Sequence, residues 1–193
     1  MLGLVLPTDP RWTDIANKNI HEILVDHAYC EQKAASSGIS IIVQYPEKER
    51  LVEVLTAIVA EEWSHFERVL LELKKRGMKL GKQRRDEYVI KLNTIIIQGG
   101  SREHQVVEKL LINALIEARS CERFRLLSKE ISDPGLGEFY HELMVSEAGH
   151  YKTFLSLAKE YMDPEVVEAR WREILAQESE IIKHLEVRGD RMH

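Results

Sequence analysis

Apolar residues recur every three or four positions along most of the chain, the spacing of helices that bury one face. This pattern predicts five long helices, at about residues 12–37, 46–77, 101–131, 134–161 and 164–187. Gly38 and Gly77 are predicted to end the first two helices, since glycine commonly follows a helix C-terminus. Pro46 is predicted to lie in the first turn of the second helix, where its missing N–H costs nothing.

The connection between the second and third helices is long, at residues 78–100, with a short helix predicted from Tyr88 to Ile97. Ser101, Asp133 and Asp163 are predicted N-caps, and Asp133 follows so short a turn that the third and fourth helices form a hairpin. Two hairpins joined by one long crossover are the ferritin-like arrangement. The sequence therefore predicts an all-α, ferritin-like four-helix bundle with a long crossover between helices 2 and 3 and an additional C-terminal helix, in one domain over residues 1–193.

Two of these helices carry a glutamate and a histidine three residues apart on the apolar face. Residues three apart share a helix face, so each pair can offer one oxygen and one nitrogen to a metal ion. The first and third helices each add a glutamate, 31 residues before the first pair and 30 before the second. The six metal-competent residues on apolar faces are Glu31, Glu62, His65, Glu117, Glu147 and His150.

A third pair with the same spacing, Glu138 and His141, lies off the apolar face and is interpreted as a solvated pair. The alternative for the other six is that they are satisfied core residues or buried salt bridges. Burying four carboxylates costs several kcal/mol each without a compensating cation. The pattern therefore favours a two-metal site of oxygen and nitrogen ligands, which suits iron and does not exclude manganese.

Glu122 competes with Glu117 for the third-helix position, because Cys121-Glu122 resembles Cys30-Glu31. Glu117 is predicted about 21 Å from the end of its helix, and Glu147 about 18 Å from the start of the next. Glu122 would lie only about 13 Å from that end and point about 140° away from Glu117. The matching heights favour Glu117.

Composition narrows the class of protein. A net charge of −5 argues against a generally basic nucleic-acid coat. The two cysteines exclude a disulfide-rich scaffold and any four-cysteine zinc or iron–sulfur site. The N-terminal apolar stretch is too short for a signal peptide, and no run of about 18 apolar residues predicts a membrane span. We therefore expect a cytoplasmic protein.

One segment departs from the acidic average, because residues 74–85 hold seven basic residues and no acidic one. Such an asymmetry is typical of a phosphate-binding patch, although composition alone favours a solvated loop. The basic residues are Lys74, Lys75, Arg76, Lys79, Lys82, Arg84 and Arg85.

Four further residues are weaker candidates. His27, one turn before Glu31, is either a second-shell donor or pocket residue, or a core histidine with a local partner. Cys121 and Tyr140 are candidates to line the site, with ordinary packing as the alternative. Glu178 on the fifth helix is interpreted as solvated or paired with a basic neighbour.

Several strings resemble one known family. Asp26-His-Ala-Tyr-Cys-Glu31-Gln-Lys-Ala-Ala-Ser36, Glu61-Glu-Trp-Ser-His65-Phe-Glu, Glu117-Ala-Arg-Ser-Cys-Glu-Arg-Phe124 and Ser146-Glu-Ala-Gly-His150 are similar to blocks of the bacterial tRNA 2-methylthio-isopentenyl-adenosine hydroxylases. The early Pro7-Thr-Asp-Pro-Arg-Trp12 is similar too, so the resemblance covers most of the chain. Gly149 departs from it, since a basic residue is expected there.

The resemblance implies a non-haem di-iron monooxygenase that uses O2 to hydroxylate the isopentenyl group of a hypermodified adenosine next to the tRNA anticodon. It implies that the six residues above bind two iron ions and that an external protein or reductase supplies electrons. If the chain has this function, the basic segment at residues 74–85 becomes a stronger candidate for contact with tRNA phosphates. Arg119, Arg123 and Arg125 become secondary candidates for substrate contact, with surface ion pairing as the alternative.

Two other classes share parts of this pattern. A ferritin-like or rubrerythrin-like iron oxidase or peroxidase would use the same six ligands, although a long basic connection is not expected in a cage-forming ferritin. A metal-free helical interaction protein would contain no metal after purification. The amount of iron bound per chain separates these classes.

Overall fold

A computed structural model describes residues 2–192, and all regular structure in that range is α-helical. The helices are α1 (Arg11–Lys18), α2 (Ile20–Gln44), α3 (Glu49–Lys75), α4 (Glu87–Asn93), α5 (Arg102–Glu130), α6 (Pro134–Tyr161) and α7 (Pro164–Lys183). The predicted all-α class is thus confirmed.

The prediction of one first helix ending at Gly38 is wrong in two respects. The chain breaks at Asn19, whose φ of −131° and ψ of 37° are not helical, so that α1 and α2 are separate. Helix α2 then continues through Gly38 to Gln44. Gly38 is a packing residue, because a Cβ atom built on it would lie 2.5 Å from Cγ2 of Val59 on α3.

The other helix ends agree with the sequence more closely. Gly77 follows α3 with a φ of +67°, while its N–H donates to Lys74 O and the Met78 N–H to Leu73 O, which together form a Schellman motif. Helix α3 begins at Glu49 with Lys48 as its N-cap, so the prediction that Pro46 lies in the first helical turn is wrong. Pro46 lies in the turn before the helix, where its fixed φ is equally suitable. Helix α4 ends at Asn93, before the predicted Ile97.

The three predicted N-caps are confirmed. The Ser101 hydroxyl accepts from the His104 N–H at 3.2 Å, and the Asp133 carboxylate accepts from the Gly135 N–H at 2.9 Å. Asp163 accepts from the Glu165 N–H at 2.8 Å. These caps satisfy donors that the first turn of a helix leaves without intrahelical partners. Helix α7 ends at Lys183, four residues before the predicted end.

The described chain divides into two compact units. One contains residues 14–85 and 188–192, and in it α2 packs along α3. The C-terminal residues belong to this unit, since the Met192 N–H donates to the Asp26 carboxylate at 2.7 Å. The other contains residues 2–13 and 86–187, in which α5 packs along α6 and α7 contacts α4, α5 and α6.

A buried ion-pair network links α7 to α5 in the second of these units. Arg119 is fully buried and donates to Glu178 at 2.7 Å and to Glu122 at 2.5 Å. The Tyr88 hydroxyl of α4 donates to Glu178 at 3.2 Å. Glu178 is therefore paired with a basic residue, as expected, but it is buried and not solvated.

Charge in this network is set by competing effects. Burial opposes the charge of Arg119, but Glu178 and Glu122 outweigh it and raise the Arg119 pKa. Burial raises the pKa of Glu178, and Arg119 and Tyr88 offset this only in part. Because its guanidinium is enclosed, Arg119 cannot serve as the substrate contact that the resemblance implied.

Candidate metal centre

The α2–α3 pair brings three of the predicted ligands together. Glu31 from α2 and Glu62 and His65 from α3 each offer one donor atom, and these atoms lie within 4.8 Å of one another. His65 Nδ1 is 3.5 Å from Glu31 Oε2 and 3.9 Å from Glu62 Oε2. All three side chains are buried. Helical spacing places Glu62 and His65 on one face, and packing of α2 adds Glu31.

The α5–α6 pair forms a second cluster of the same composition. Glu117 from α5 and Glu147 and His150 from α6 are buried, with one donor atom from each within 4.8 Å of the others. His150 Nδ1 is 3.4 Å from Glu147 Oε2. Glu122 points elsewhere, into the network with Arg119, so it takes no part in this cluster. We call the two clusters the α2–α3 triad and the α5–α6 triad.

The donor atoms of each triad suit a metal ion. Two carboxylates and one imidazole supply hard oxygen and borderline nitrogen ligands, a set typical of iron and manganese in helical proteins. Two carboxylates buried so close together repel each other unless a cation or proton compensates them. The chain therefore contains buried Glu and His groups that could bind metal.

His27 lies directly behind the α2–α3 triad. It is fully buried, and its Nε2–H donates to Glu31 Oε1 at 2.6 Å. A hydrogen bond of this kind fixes the orientation of a carboxylate and leaves its second oxygen for another partner. Glu31 is thus the local partner of His27, while a role of His27 as a donor to a metal ligand stays a prediction.

Tyr140 and Cys121 lie near the α5–α6 triad but differ in character. Tyr140 is fully buried, with its ring 5.5 Å from that of Phe124 and 5.3 Å from that of Phe139, which is a packing role. The Cys121 thiol donates to Met144 O at 3.3 Å. Burial, reinforced by the negative charge of Glu147, raises the pKa of Cys121 to about 11, so the residue is a neutral thiol.

Cys121 also lines a cavity of about 710 Å³ beside α5 and α6. Most of its lining is apolar, and part of it comes from the N-terminal segment. The lining residues are Leu2, Leu4, Pro7, Cys121, Glu122, Arg125, Met144, Val145, Ala148, Gly149 and Lys152. The N-terminal residues have no helical periodicity, and no sequence signal pointed to Lys152, so sequence reasoning missed this cavity.

The basic segment divides into paired and exposed residues. Lys75 and Arg76 both form ion pairs with Glu72, and Arg84 forms ion pairs with Glu22 and Asp190. The Lys75 and Arg76 side chains are two causes that lower the Glu72 pKa against the opposing effect of burial. The remaining four are exposed, and the described residues contain no ion-pair partner for them: Lys74, Lys79, Lys82 and Arg85.

The remaining candidates are sorted by their exposure. Glu138 and His141 are both exposed, as predicted. Arg123 is buried, with its guanidinium 4.5 Å from the centre of the Trp12 ring, and burial lowers its pKa to about 10. Arg123 is therefore a core residue, which fits neither the candidate role of substrate contact nor the alternative of surface ion pairing. Arg125 is partly exposed at the cavity.

No helix within residues 2–192 is long and apolar enough to cross a membrane.

Two curated relatives of the chain have the same name. A curated relative from Pseudomonas putida, tRNA 2-(methylsulfanyl)-N(6)-isopentenyladenosine(37) hydroxylase, is 36% identical over 92% of this chain and 85% of its own length. A hydroxylase of the same name from Salmonella typhimurium is 26% identical over 91% of this chain and 82% of its own.

Among solved structures, the chain resembles a Synechococcus protein described as having aldehyde deformylating oxygenase activity. The TM-score is 0.92 at 33% identity, over 98% of this chain and 94% of that one. A family profile described as tRNA-(ms2io6A)-hydroxylase (MiaE) matches residues 3–193. With two buried triads of the predicted composition and a match along almost its whole length, the chain belongs to the MiaE family of tRNA hydroxylases.

Proposed function

We propose that the protein hydroxylates the isopentenyl side chain of 2-methylthio-isopentenyl-adenosine next to the tRNA anticodon, with O2 as co-substrate. Support comes from the family and from the names of the two curated relatives. The single observation that carries the chemistry is the presence of two buried triads, each with two carboxylates and one imidazole. A tRNA substrate assigns the reaction to the cytoplasm.

In this proposal the two triads provide the six protein ligands of one di-iron centre in a ferritin-like four-helix bundle, with α7 as the additional helix. The proposed ligands are Glu31, Glu62, His65, Glu117, Glu147 and His150. Their composition matches the ligand set of di-iron carboxylate bundles, one glutamate from each of two helices and Glu-x-x-His from each of the others. Manganese has similar ligand preferences, so metal analysis is part of the test.

Bound iron would supply the reduction of O2 and the oxidation of an allylic C–H bond, with electrons from an external donor protein or reductase. The chain itself orients and shields. His27 holds one oxygen of Glu31, so the carboxylate presents the other in a fixed direction. Cys121 remains a neutral thiol at physiological pH, because burial raises its pKa to about 11.

The exposed part of the basic segment is the proposed tRNA contact. Arg84 is unsuitable as a probe, because its ion pairs with Glu22 and Asp190 hold the segment to its own unit. Lys79, Lys82 and Arg85 are exposed and can be reversed to glutamate together. We expect weaker tRNA binding. The slope of the logarithm of the binding constant against the logarithm of the salt concentration should be about 2 smaller in magnitude, since each lost phosphate contact reduces that slope by somewhat less than 1.

The control reverses three exposed basic residues outside the segment for which the described residues contain no ion-pair partner: Lys18, Lys129 and Arg172. It changes net charge by the same amount. Equal losses for both triple variants would mean that net charge alone is responsible, and an unchanged salt dependence would contradict the tRNA contact.

The experiment that tests the function is mass analysis of nucleosides from tRNA treated with the iron-loaded, reduced protein and O2. A gain of one oxygen on the isopentenylated adenosine is the expected result. No gain with a competent reductant would refute the proposal. If added Fe(II) were then turned over as ferric mineral instead of staying at about two per chain, an iron oxidase of the kind that shares these ligands would replace it.

A further inference from the structure

The cavity beside α5 and α6 combines an apolar wall with basic residues. Leu2, Leu4, Met144 and Val145 give it a mainly apolar surface, and its volume of about 710 Å³ lies in the range of small-molecule pockets. Its one carboxylate, Glu122, is paired with Arg119.

The two cations that line the cavity have a different environment from Glu122. Arg125 is partly exposed and Lys152 is exposed, and the described residues give neither side chain an ion-pair partner. The net charge available to a ligand is therefore positive. A nucleotide with an apolar substituent on its base matches both properties of the lining, because the substituent suits the apolar wall and the phosphates suit the two cations.

Cys121 is the lining residue that connects the cavity with the α5–α6 triad. It is one turn beyond Glu117 on α5, about 6 Å along the helix axis, and its thiol donates to Met144 O of α6. Ala148 and Gly149 stand between Glu147 and His150 in sequence, but at about 100° per residue they point to another side of α6. A ligand in the cavity would thus approach the proposed metal ligands past Cys121.

Gly149 determines how much of this space is available. A Cβ atom built there meets nothing within 4 Å, so its place in the lining is open. A long side chain at this position would reduce the apolar volume. In this chain the wall stays apolar from Val145 to Gly149 on the exposed side of α6.

We propose that this cavity binds the hypermodified adenine, with its isopentenyl and methylthio groups against the apolar wall, while Arg125 and Lys152 contact phosphates of the flanking nucleotides. The inference rests on the proposed function. Bases of a single-stranded loop can be turned out of the stack into such a pocket at low cost. A neighbouring depression shares Arg125 and Met144, but Glu138 and Glu142 line it, which makes it less suited to phosphate.

The test compares binding of two anticodon stem-loop RNAs, one with 2-methylthio-isopentenyl-adenosine and one with unmodified adenosine. The iron-loaded protein is used without O2 or reductant, so no turnover occurs. We expect the unaltered protein to prefer the modified RNA. Gly149→Phe should occupy part of the cavity and lower affinity for the modified RNA about tenfold, the effect of losing contact with one or two methylene groups, while affinity for the unmodified RNA stays the same.

A control separates occupation of the cavity from a change of the helix. Ser156→Phe adds a phenylalanine at an exposed position of α6 outside the lining and should retain the preference for the modified RNA. Val145→Asp is a second probe, because it places a charge on the apolar wall at a residue 59% exposed, where folding is not at risk.

Arg125→Gln and Lys152→Gln should weaken binding of both RNAs equally and lower the salt slope by about 1 each. If Gly149→Phe and Val145→Asp bind the modified RNA as the unaltered protein does, with unchanged KM in hydroxylation, the cavity is not the base pocket and the proposed function stands. If the unaltered protein neither distinguishes the RNAs nor hydroxylates the modified one, the proposed function itself fails.

Discussion

The contact between Gly38 and Val59 tests whether the α2–α3 pair is held as closely as the structure indicates. Replacement of Gly38 by alanine adds one methyl group, and its carbon would lie 2.5 Å from Cγ2 of Val59. Such a contact must be relieved. Valine is β-branched, so in a helix it has one strongly preferred χ1 rotamer and cannot turn away without cost.

Two effects of opposite sign decide the result. Alanine in a helix interior is favoured over glycine by about 0.5–1 kcal/mol. Overpacking of a close interface costs about 1–3 kcal/mol. We therefore expect Gly38→Ala to lower the free energy of unfolding by about 1 kcal/mol, which is about 2–4 °C in Tm for a chain of this length.

Gly149→Ala is the matched control. It makes the same substitution in the interior of α6, but the new Cβ meets nothing within 4 Å. Only the helix effect remains, and we expect stabilisation by about 0.5–1 kcal/mol. Urea denaturation of the metal-free protein, followed by circular dichroism, measures both variants at constant m-value.

Equal stabilisation of both variants would mean that Gly38 has no packing role. Addition of Val59→Ala to Gly38→Ala removes the obstructing methyl groups. If the contact is present, the double variant should lose less stability than the sum of the losses of Gly38→Ala and Val59→Ala alone.

Three further results are expected. Glu62→Gln should lower iron affinity, measured by metal titration, by at least the about 10–100-fold that loss of a hydrogen-bond partner of a metal ligand costs. It should not destabilise the metal-free protein, because it removes one of the mutually repelling buried charges. The exposed control Glu138→Gln should change neither iron affinity nor stability, and full iron retention by Glu62→Gln would contradict its role as a ligand. Arg119→Met should cost about 3–5 kcal/mol in urea denaturation, because it leaves the buried Glu178 without its cation, and a loss below about 1 kcal/mol would refute this account. Cys121 should resist alkylation at pH 8 in the folded protein and react increasingly as the pH approaches its pKa of about 11, since the thiolate is the reactive form. Mass spectrometry measures the alkylation rate, with urea-unfolded protein as the control. Equal rates in the folded and unfolded states would contradict the raised pKa.

Much of the helical framework could be predicted because its signals are local. Apolar periodicity identified the long helices, and Ser101, Asp133 and Asp163 marked their starts through side-chain hydrogen bonds within one turn. The same periodicity placed the six metal-competent residues on buried faces. Their role as ligands of one di-iron centre remains a prediction.

The errors arose where a residue's role depends on a distant part of the chain. Gly38 has the local signature of a helix end, but its function is to let α3 approach α2. Glu178 and Arg119 each look like surface residues in sequence, and only packing of α7 on α5 encloses them as a pair.

The basic segment shows the same division. Composition identified it, but not which of its cations are already neutralised by Glu72, Glu22 and Asp190. The cavity could not be predicted at all, because its wall joins an N-terminal segment without periodicity to two helices more than 100 residues away. Helical periodicity encodes which face of an element is buried, while tertiary packing alone determines what that face meets.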